Sequence, residues 1–205
     1  MTDQRDGASC LDAPAAACAI VLGARGRVGG AFARRLRRDG WAVVEDPADP
    51  ATVARSASPA WLFDCAYHDG DPAGHVERVA GHLAHWRDYA AIFVPSSDWI
   101  DEDHSYARGK RAVEALAAFY RGLGATVVTD RIGYFPGDDG IADANEPMID
   151  RLVDGETLYA RVMAALRTSA TVASTEAASS GRQISRSGSS GSAQLSHSYW
   201  PPSWR

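Results

Sequence analysis

Three glycines, Gly23, Gly26 and Gly29, separate the apolar run Cys18-Ala-Ile-Val-Leu22 from a stretch whose apolar residues recur at helical spacing. A chain that leaves a buried strand, turns on glycine and enters a helix within seven residues has few folds open to it. Glycine lets the backbone turn tightly and come close to a ligand, while the helix start offers unpaired N–H groups and the positive end of the helix dipole. The guest that fits is a pyrophosphate, as in a dinucleotide, and a merely structural turn is the alternative.

The rest of the chain repeats that alternation. The first helix is expected over Val28–Asp39 and a second strand over Trp41–Glu45. A short helix follows near Ala51–Ala57, then a third strand Trp61–Cys65 and a helix Gly74–Tyr89. Ala91–Pro95 reads as a fourth strand, Ser105–Arg121 as a helix, Ala125–Thr129 as a fifth strand and Met148–Leu166 as a last helix. Strands alternating with amphipathic segments imply an α/β fold, a doubly wound parallel sheet of about five strands.

Composition narrows the function. With 21 basic and 26 acidic side chains in 205 residues the formal charge is −5, so no overall positive field favours nucleic acid, and no apolar run suits a membrane span. Three cysteines without paired spacing indicate neither a disulfide framework nor a zinc site, and a cytoplasmic setting is expected. Residues 1–16 read as a flexible extension and 17–167 as the folded domain. Residues 168–205, with 12 Ser and one acidic residue, read as a disordered tail.

Of the 21 basic residues only Lys110 is a lysine, and it lies four positions after Tyr106 in an expected helix. That spacing puts both on one face. At about 4 Å and an effective dielectric near 20, a fixed ammonium favours phenolate by about 4 kcal/mol, enough to turn a phenol into a proton donor or acceptor near neutrality. A surface lysine beside a half-buried tyrosine is the plainer reading. A site that needs a compact point charge, in a chain that otherwise uses arginine, explains the exception better.

Other candidates gather at strand ends. Glu45 and Asp46 close the second strand about 20 residues past the glycine turn, where a carboxylate would bond ribose hydroxyls and favour NAD. Arg25 and Arg27 inside the turn could instead grip a 2′-phosphate and favour NADP, so the cofactor choice stays open. Val28 completes the turn. Ser96, Ser97, Asp98 and Trp99 follow the fourth strand, and His68 follows the third, both at the edge where open parallel sheets bind ligands. His82 and His85, with His75 upstream, lack the further ligands of a metal set and are read as a solvated helix flank; no metal site is expected.

In this order, the three glycines, Ser96-Ser97, Tyr106-x-x-x-Lys110 and Arg131-Ile-Gly-Tyr-Phe-Pro-Gly137 resemble the extended short-chain dehydrogenase/reductase superfamily. Pro59-Ala-Trp-Leu-Phe-Asp-Cys-Ala-Tyr-His68 and Ser96-Ser-Asp-Trp-Ile100 are most similar to its NAD(P)-dependent epimerase/dehydratase branch, which includes dTDP-4-dehydrorhamnose reductase. The resemblance covers about residues 18–137. It implies a Rossmann-like domain that binds NAD or NADP, with Ser97 polarising a substrate carbonyl, Tyr106 moving the proton, and Lys110 binding ribose and lowering the tyrosine pKa. It places Ala66 and Tyr67 along the cofactor, while His68, Ser96, Asp98 and Trp99 are candidates to contact substrate from their position at the strand-end ligand edge. The substrate lobe of the family is expected to be reduced or missing.

The function so implied is hydride transfer on a nucleotide sugar or small carbonyl compound, with specialised-metabolite (antibiotic) biosynthesis as a candidate setting. The partner is a small molecule, neither nucleic acid nor membrane is expected, and a homodimer is admissible. Two rivals remain: a truncated dinucleotide-binding sensor, and a prephenate-type dehydrogenase suggested by the glycine turn and Phe32-Ala-Arg-Arg-Leu36. The second leaves Tyr106 and Lys110 unexplained.

Overall fold

A computed structural model describes residues 17–57, 59–68, 70–136 and 151–184, without side-chain detail for 172–184. The expected N-terminal extension, the end of the Ser-rich tail beyond 184, and Gly137 lie outside the described residues. Residues 1–173 group as one unit and 174–205 as another.

Five strands, β1 (Cys18–Leu22), β2 (Ala42–Glu45), β3 (Ala60–Asp64), β4 (Ala91–Ser97) and β5 (Val127–Ile132), form one parallel sheet in the order β2-β1-β3-β4-β5. The expected doubly wound sheet is therefore present. Its helices are α1 (Arg27–Arg38), α2 (Pro50–Ser56), α3 (Pro72–Ala84), α4 (Ser105–Gly122) and α5 (Gly155–Ile184).

Alternation along the strands sorts the core into two layers, because successive side chains point to opposite faces. Ala19, Val21, Phe63, Phe93 and Val128 meet Phe32 and Leu36 of α1 and Leu158, Val162 and Leu166 of α5. Ile20, Leu22, Leu62, Ile92 and Val127 meet Val79 and Leu83 of α3 and Val113 and Ala117 of α4. Phe32 centres the first layer, with ring centroids 5.2 Å from Phe93, 5.5 Å from Phe63 and 5.6 Å from Tyr159. Truncating such a ring to alanine costs about 3–5 kcal/mol.

The order in which strands are added reverses at β1. Strand β2 lies on one side of it and β3 on the other, so the connections leaving β1 and β3 cover opposite faces and a crevice opens at their carboxyl ends. That crevice is where the glycine turn, the end of β3 and the end of β4 meet.

Several boundaries differ from the sequence reading, among them β5, which runs Val127–Ile132 in place of the expected Ala125–Thr129. The third helix ends at Ala84, and Trp86–Asp88 forms a separate 3-10 turn. Strand β4 runs on through Ser96 and Ser97, because both continue the ladder with Arg131 and Ile132 of β5. The last helix begins at Gly155, where the Asp154 carboxylate accepts the Thr157 N–H at 2.9 Å, and continues to Ile184, so the expected boundary at 167/168 falls inside a helix. Ala170, Ala173, Ala177 and Ala178 carry high helix propensity through a segment whose serine content suggested a coil. Glu156 ties the start of α5 to α1, accepting from Arg35 at 3.0 Å and Arg38 at 2.7 Å.

Candidate active site

The glycine turn is shaped by contacts that no side chain would survive. Gly23 has φ +72, and a Cβ there would lie 2.7 Å from the Ala66 Cα; a Cβ on Gly29 would collide with the Gly23 carbonyl. The Gly26 N–H bonds the Gly23 carbonyl at 2.9 Å, and Gly26 then caps α1 without any side-chain acceptor. No acidic residue sits in the first turn of α1. The helix start therefore keeps unclaimed N–H groups and an uncompensated positive dipole end.

The β2 end reaches this turn through Asp46. It adopts φ 43, a left-handed conformation that aspartate tolerates better than most residues, and its carboxylate accepts the Gly23 N–H at 2.6 Å. Glu45 is turned instead to Arg37 in a 2.7 Å ion pair. Arg25 and Arg27 are exposed, and among the described residues neither has an ionic partner.

A cleft of about 470 Å³ opens beside the turn. Gly23, Gly26, Arg27 and Val28 form one wall, and Cys65, Ala66, Tyr67 and His68 carry it past the end of β3. Ser96, Ser97 and Trp99 contribute from the end of β4, Tyr106 and Lys110 from α4, and Ile132, Gly133 and Phe135 from beyond β5. Most of the sequence candidates therefore meet in one place. Arg25, Gly29, Glu45, Asp46 and Asp98 do not line the cleft; Gly29 and Asp46 support its wall from behind.

The two serines differ. Ser96 is buried and donates its hydroxyl to Glu114 Oε1 at 2.6 Å, while Arg131 grips both oxygens of that carboxylate at 3.0 Å. This arrangement locks β4, α4 and β5 together and holds the Glu114 carboxyl below its ordinary range, chiefly through Arg131. Among the described residues, Ser97 Oγ accepts only the Trp99 N–H, at 3.2 Å, which leaves its own proton to donate.

Helix α4 presents the tyrosine and lysine. His104 caps it, accepting the Ala107 N–H on Nδ1 at 3.1 Å while Nε2 faces Glu102 at 2.9 Å. Tyr106 is half-buried within the first turn. Lys110, only 5% exposed, donates to the Pro95 carbonyl at 2.9 Å and lies 5.2 Å and 5.7 Å from the Tyr67 and Tyr106 ring centroids. Burial outweighs the nearby Asp64 charge and pulls the Lys110 pKa down to about 8. The Cys65 thiol is pushed far up, chiefly by burial and further by the neighbouring Asp64 charge.

Beneath the lysine lies a polar group that the sequence reading missed. His75, taken as part of a solvated flank, is 2% exposed and faces Lys110 Nζ at 3.3 Å through Nε2. Arg78 Nη2 donates to His75 Nδ1 at 2.7 Å and also bonds the Ala66 carbonyl. Asp64, wholly buried at the end of β3, meets His82 at 2.8 Å and Arg78 at 3.6 Å. Only His85 has the solvated character expected of all three histidines. The missed signal was spacing: His75 shares the stripe of Val79 and Leu83, and an imidazole on a buried stripe needs partners. Among the described residues no cluster has the makings of a metal site, and no helix is long and apolar enough to cross a membrane.

Solved structures share this architecture. The UDP-N-acetylglucosamine 4-epimerase of Bacillus cereus superposes with a TM-score of 0.54 at 13% identity, over 76% of this chain and 74% of the epimerase. The capsular polysaccharide assembling protein CapF of Staphylococcus aureus gives 0.54 at 18% identity, over 73% of this chain and 50% of CapF, so this chain spans about half of CapF's length. No family model matches the chain, and no curated protein matches it in sequence. At these identities the likeness establishes the fold: a Rossmann-like, doubly wound α/β domain.

Proposed function

We propose that this protein binds NAD or NADP in the crevice and acts as an oxidoreductase or epimerase/dehydratase of the extended short-chain dehydrogenase/reductase type. The observation that carries the reading is the convergence of Ser97, Tyr106 and Lys110 on the same cleft as the uncapped glycine turn. The turn fits a dinucleotide, since free N–H groups and exposed Arg27 face the position of a pyrophosphate. Asp46 stands where ribose hydroxyls would lie and weighs toward NAD; the exposed Arg25 and Arg27 offer the contrary pull.

When bound, the nicotinamide would supply or accept a hydride. Ser97 donates its hydroxyl proton in a hydrogen bond to the substrate carbonyl and orients it. As the carbonyl π bond opens toward oxygen and the carbon gains hydride, Tyr106 Oη gives its proton to that oxygen; oxidation runs the same transfer backward. Lys110, in its ammonium form, stabilises the resulting phenolate and is near enough to the cleft to hydrogen-bond a ribose. Trp99 and Phe135 add apolar surface to the lining of the same cleft. The resemblance of the two sugar-related structures favours a nucleotide-sugar or small carbonyl substrate, and specialised metabolism remains the proposed setting.

Calorimetric titration with NADH and NADPH, followed by turnover across a panel of nucleotide sugars and small carbonyl compounds, tests the reading. Tyr106→Phe is expected to lower turnover by about 10²–10⁴ while leaving cofactor affinity within a few-fold. Unchanged turnover would remove Tyr106 from the chemistry. Binding without turnover of any compound would support a sensor, and no binding of either dinucleotide would overturn the proposal.

A further inference from the structure

The hydrogen bonds that His75 makes fix more than its position, although Asp64 Oδ1 and Arg78 Nε beside it meet only as a 3.6 Å ion pair without a hydrogen bond. A guanidinium can only donate. Because Arg78 Nη2 approaches His75 Nδ1 at 2.7 Å, that nitrogen must accept, and in a neutral imidazole the proton then resides on Nε2. Burial and the flanking Lys110 and Arg78 charges hold His75 neutral, with its pKa lowered to about 4. The Nε2–H is aimed at Lys110 Nζ, 3.3 Å away.

An ammonium has no lone pair to receive that proton, whereas a neutral amine accepts it and still donates to the Pro95 carbonyl at 2.9 Å. We propose that His75, locked by Arg78 in its Nε2–H tautomer, is a positioning residue that presents a donor to Lys110 and loosens the lysine's hold on its proton. The inference rests on the reading of Lys110 as the group that charges the Tyr106 site, and it adds what controls that charge.

The surrounding groups divide by element. Helix α3 contributes His75 and Arg78, both opposing the ammonium. The end of β3 contributes Asp64, which supports it, together with the Cys65 thiol and the Tyr67 ring. Strand β4 offers only the Pro95 carbonyl, and α4 offers the Tyr106 ring. Asp64 is already engaged by His82 at 2.8 Å, so its support is shared. Helix α3 can come this close because Gly109, the neighbour of Lys110, has no Cβ; one would stand 3.0 Å from the Pro72 Cβ. The site then has two charge states, ammonium and amine, separated near pH 8, and the ammonium that favours a Tyr106 phenolate is present below that edge.

Lys110 is the chain's only lysine, so full-length protein labelled with ε-13C-lysine yields one side-chain resonance whose titration needs no substrate. Arg78→Met should raise its midpoint by about one pH unit or more, by removing a charge and freeing the imidazole to turn an acceptor toward Nζ. In a His75→Asn background the same Arg78→Met change should move the midpoint by less than half as much, with dispersed methyl spectra confirming that each variant is folded. Equal movement in both backgrounds would mean that Arg78 acts by charge alone and would overturn the proposal.

Imidazole 15N spectra of the unmutated chain give a second, variant-independent reading, with His75→Asn used only to assign the signal. Protonated Nε2 with bare Nδ1 at pH 6 is expected; protonated Nδ1 would overturn the tautomer assignment. Neither spectrum depends on cofactor or turnover. A failed titration with intact dinucleotide binding and catalysis would refute the role of His75 alone, and the converse would refute the proposed function alone.

Discussion

The two walls of the cleft are built by opposite means. The glycine-turn wall has almost no side chains: backbone N–H groups, a bare helix start, and arginines without ionic partners among the described residues. The wall built by α3, α4 and the end of β3 is a packed set of ionisable groups, Asp64, His75 and Lys110 each less than a tenth exposed. One wall offers backbone partial charges and guanidinium charges that do not change with pH, and the other holds charges that burial has made conditional. Under the proposed function, binding of a constant anion and control of a mobile proton would call for just such different materials.

Gly29→Ala attacks the first wall most severely. Its methyl would run into the backbone carbonyl of Gly23, which has no rotamer to escape by, so dinucleotide binding by calorimetry should fall by at least about 100-fold, or about 2.7 kcal/mol. If the methyl group were tolerated with affinity unchanged, the turn would not be the close-approach surface described here. Thermal melts of the same variant separate loss of the site from loss of the fold.

The second wall should reveal itself through pH. The imidazole of His75 has a folded pKa near 4 against 6.5 for the free group, so between those values the unfolded chain takes a proton that the folded chain refuses. Stability from this source is full above pH 6.5 and is lost as pH falls to 4, on the order of 3 kcal/mol in all. Lys110, lowered to about 8, acts at the other end: the folded chain sheds its proton first, and stability rises from pH 8 toward 10.5. Urea unfolding across pH 4–7, compared with His75→Gln, checks the acid limb. Parallel slopes in the two proteins would assign that limb to carboxylates instead.

Asp46 offers the smallest effect and the finest comparison. It sits on the fixed-charge wall yet carries a full charge, committed through one oxygen to the Gly23 N–H. Asp46→Ser should keep the short polar bond while removing repulsion toward a 2′-phosphate. The ratio of NADPH to NADH affinity should then rise about five- to tenfold, or about 1–1.4 kcal/mol. A ratio that does not move would assign cofactor choice to Arg25 and Arg27.

Legibility in the sequence followed the range of the interaction. Strand β1, the glycine turn and α1 are consecutive, and period and turn chemistry sufficed to place them. Tyr106 and Lys110 share one helix face, so spacing alone joined them. His75 and Lys110 are 35 residues apart on different helices, and their meeting depends on how closely α3 and α4 pack, which no local pattern encodes. Ser96 and Ser97 looked like loop residues because they are polar; pairing with β5 made them strand, and Glu114 took up the first hydroxyl. Asp46 was placed correctly along the chain, but its bond to Gly23 follows from a left-handed backbone that aspartate permits without announcing.

The solitary lysine has a consequence for how the protein meets its surroundings. Its basic surface is made of guanidinium groups, which acylating enzymes, isopeptide-forming tags and amine-directed cross-linkers pass over. The one side-chain amine is folded inside the cleft, at 5% exposure. Any amine-directed modification of a side chain must therefore either spare this protein or strike it at the place where a tyrosine and a serine already converge.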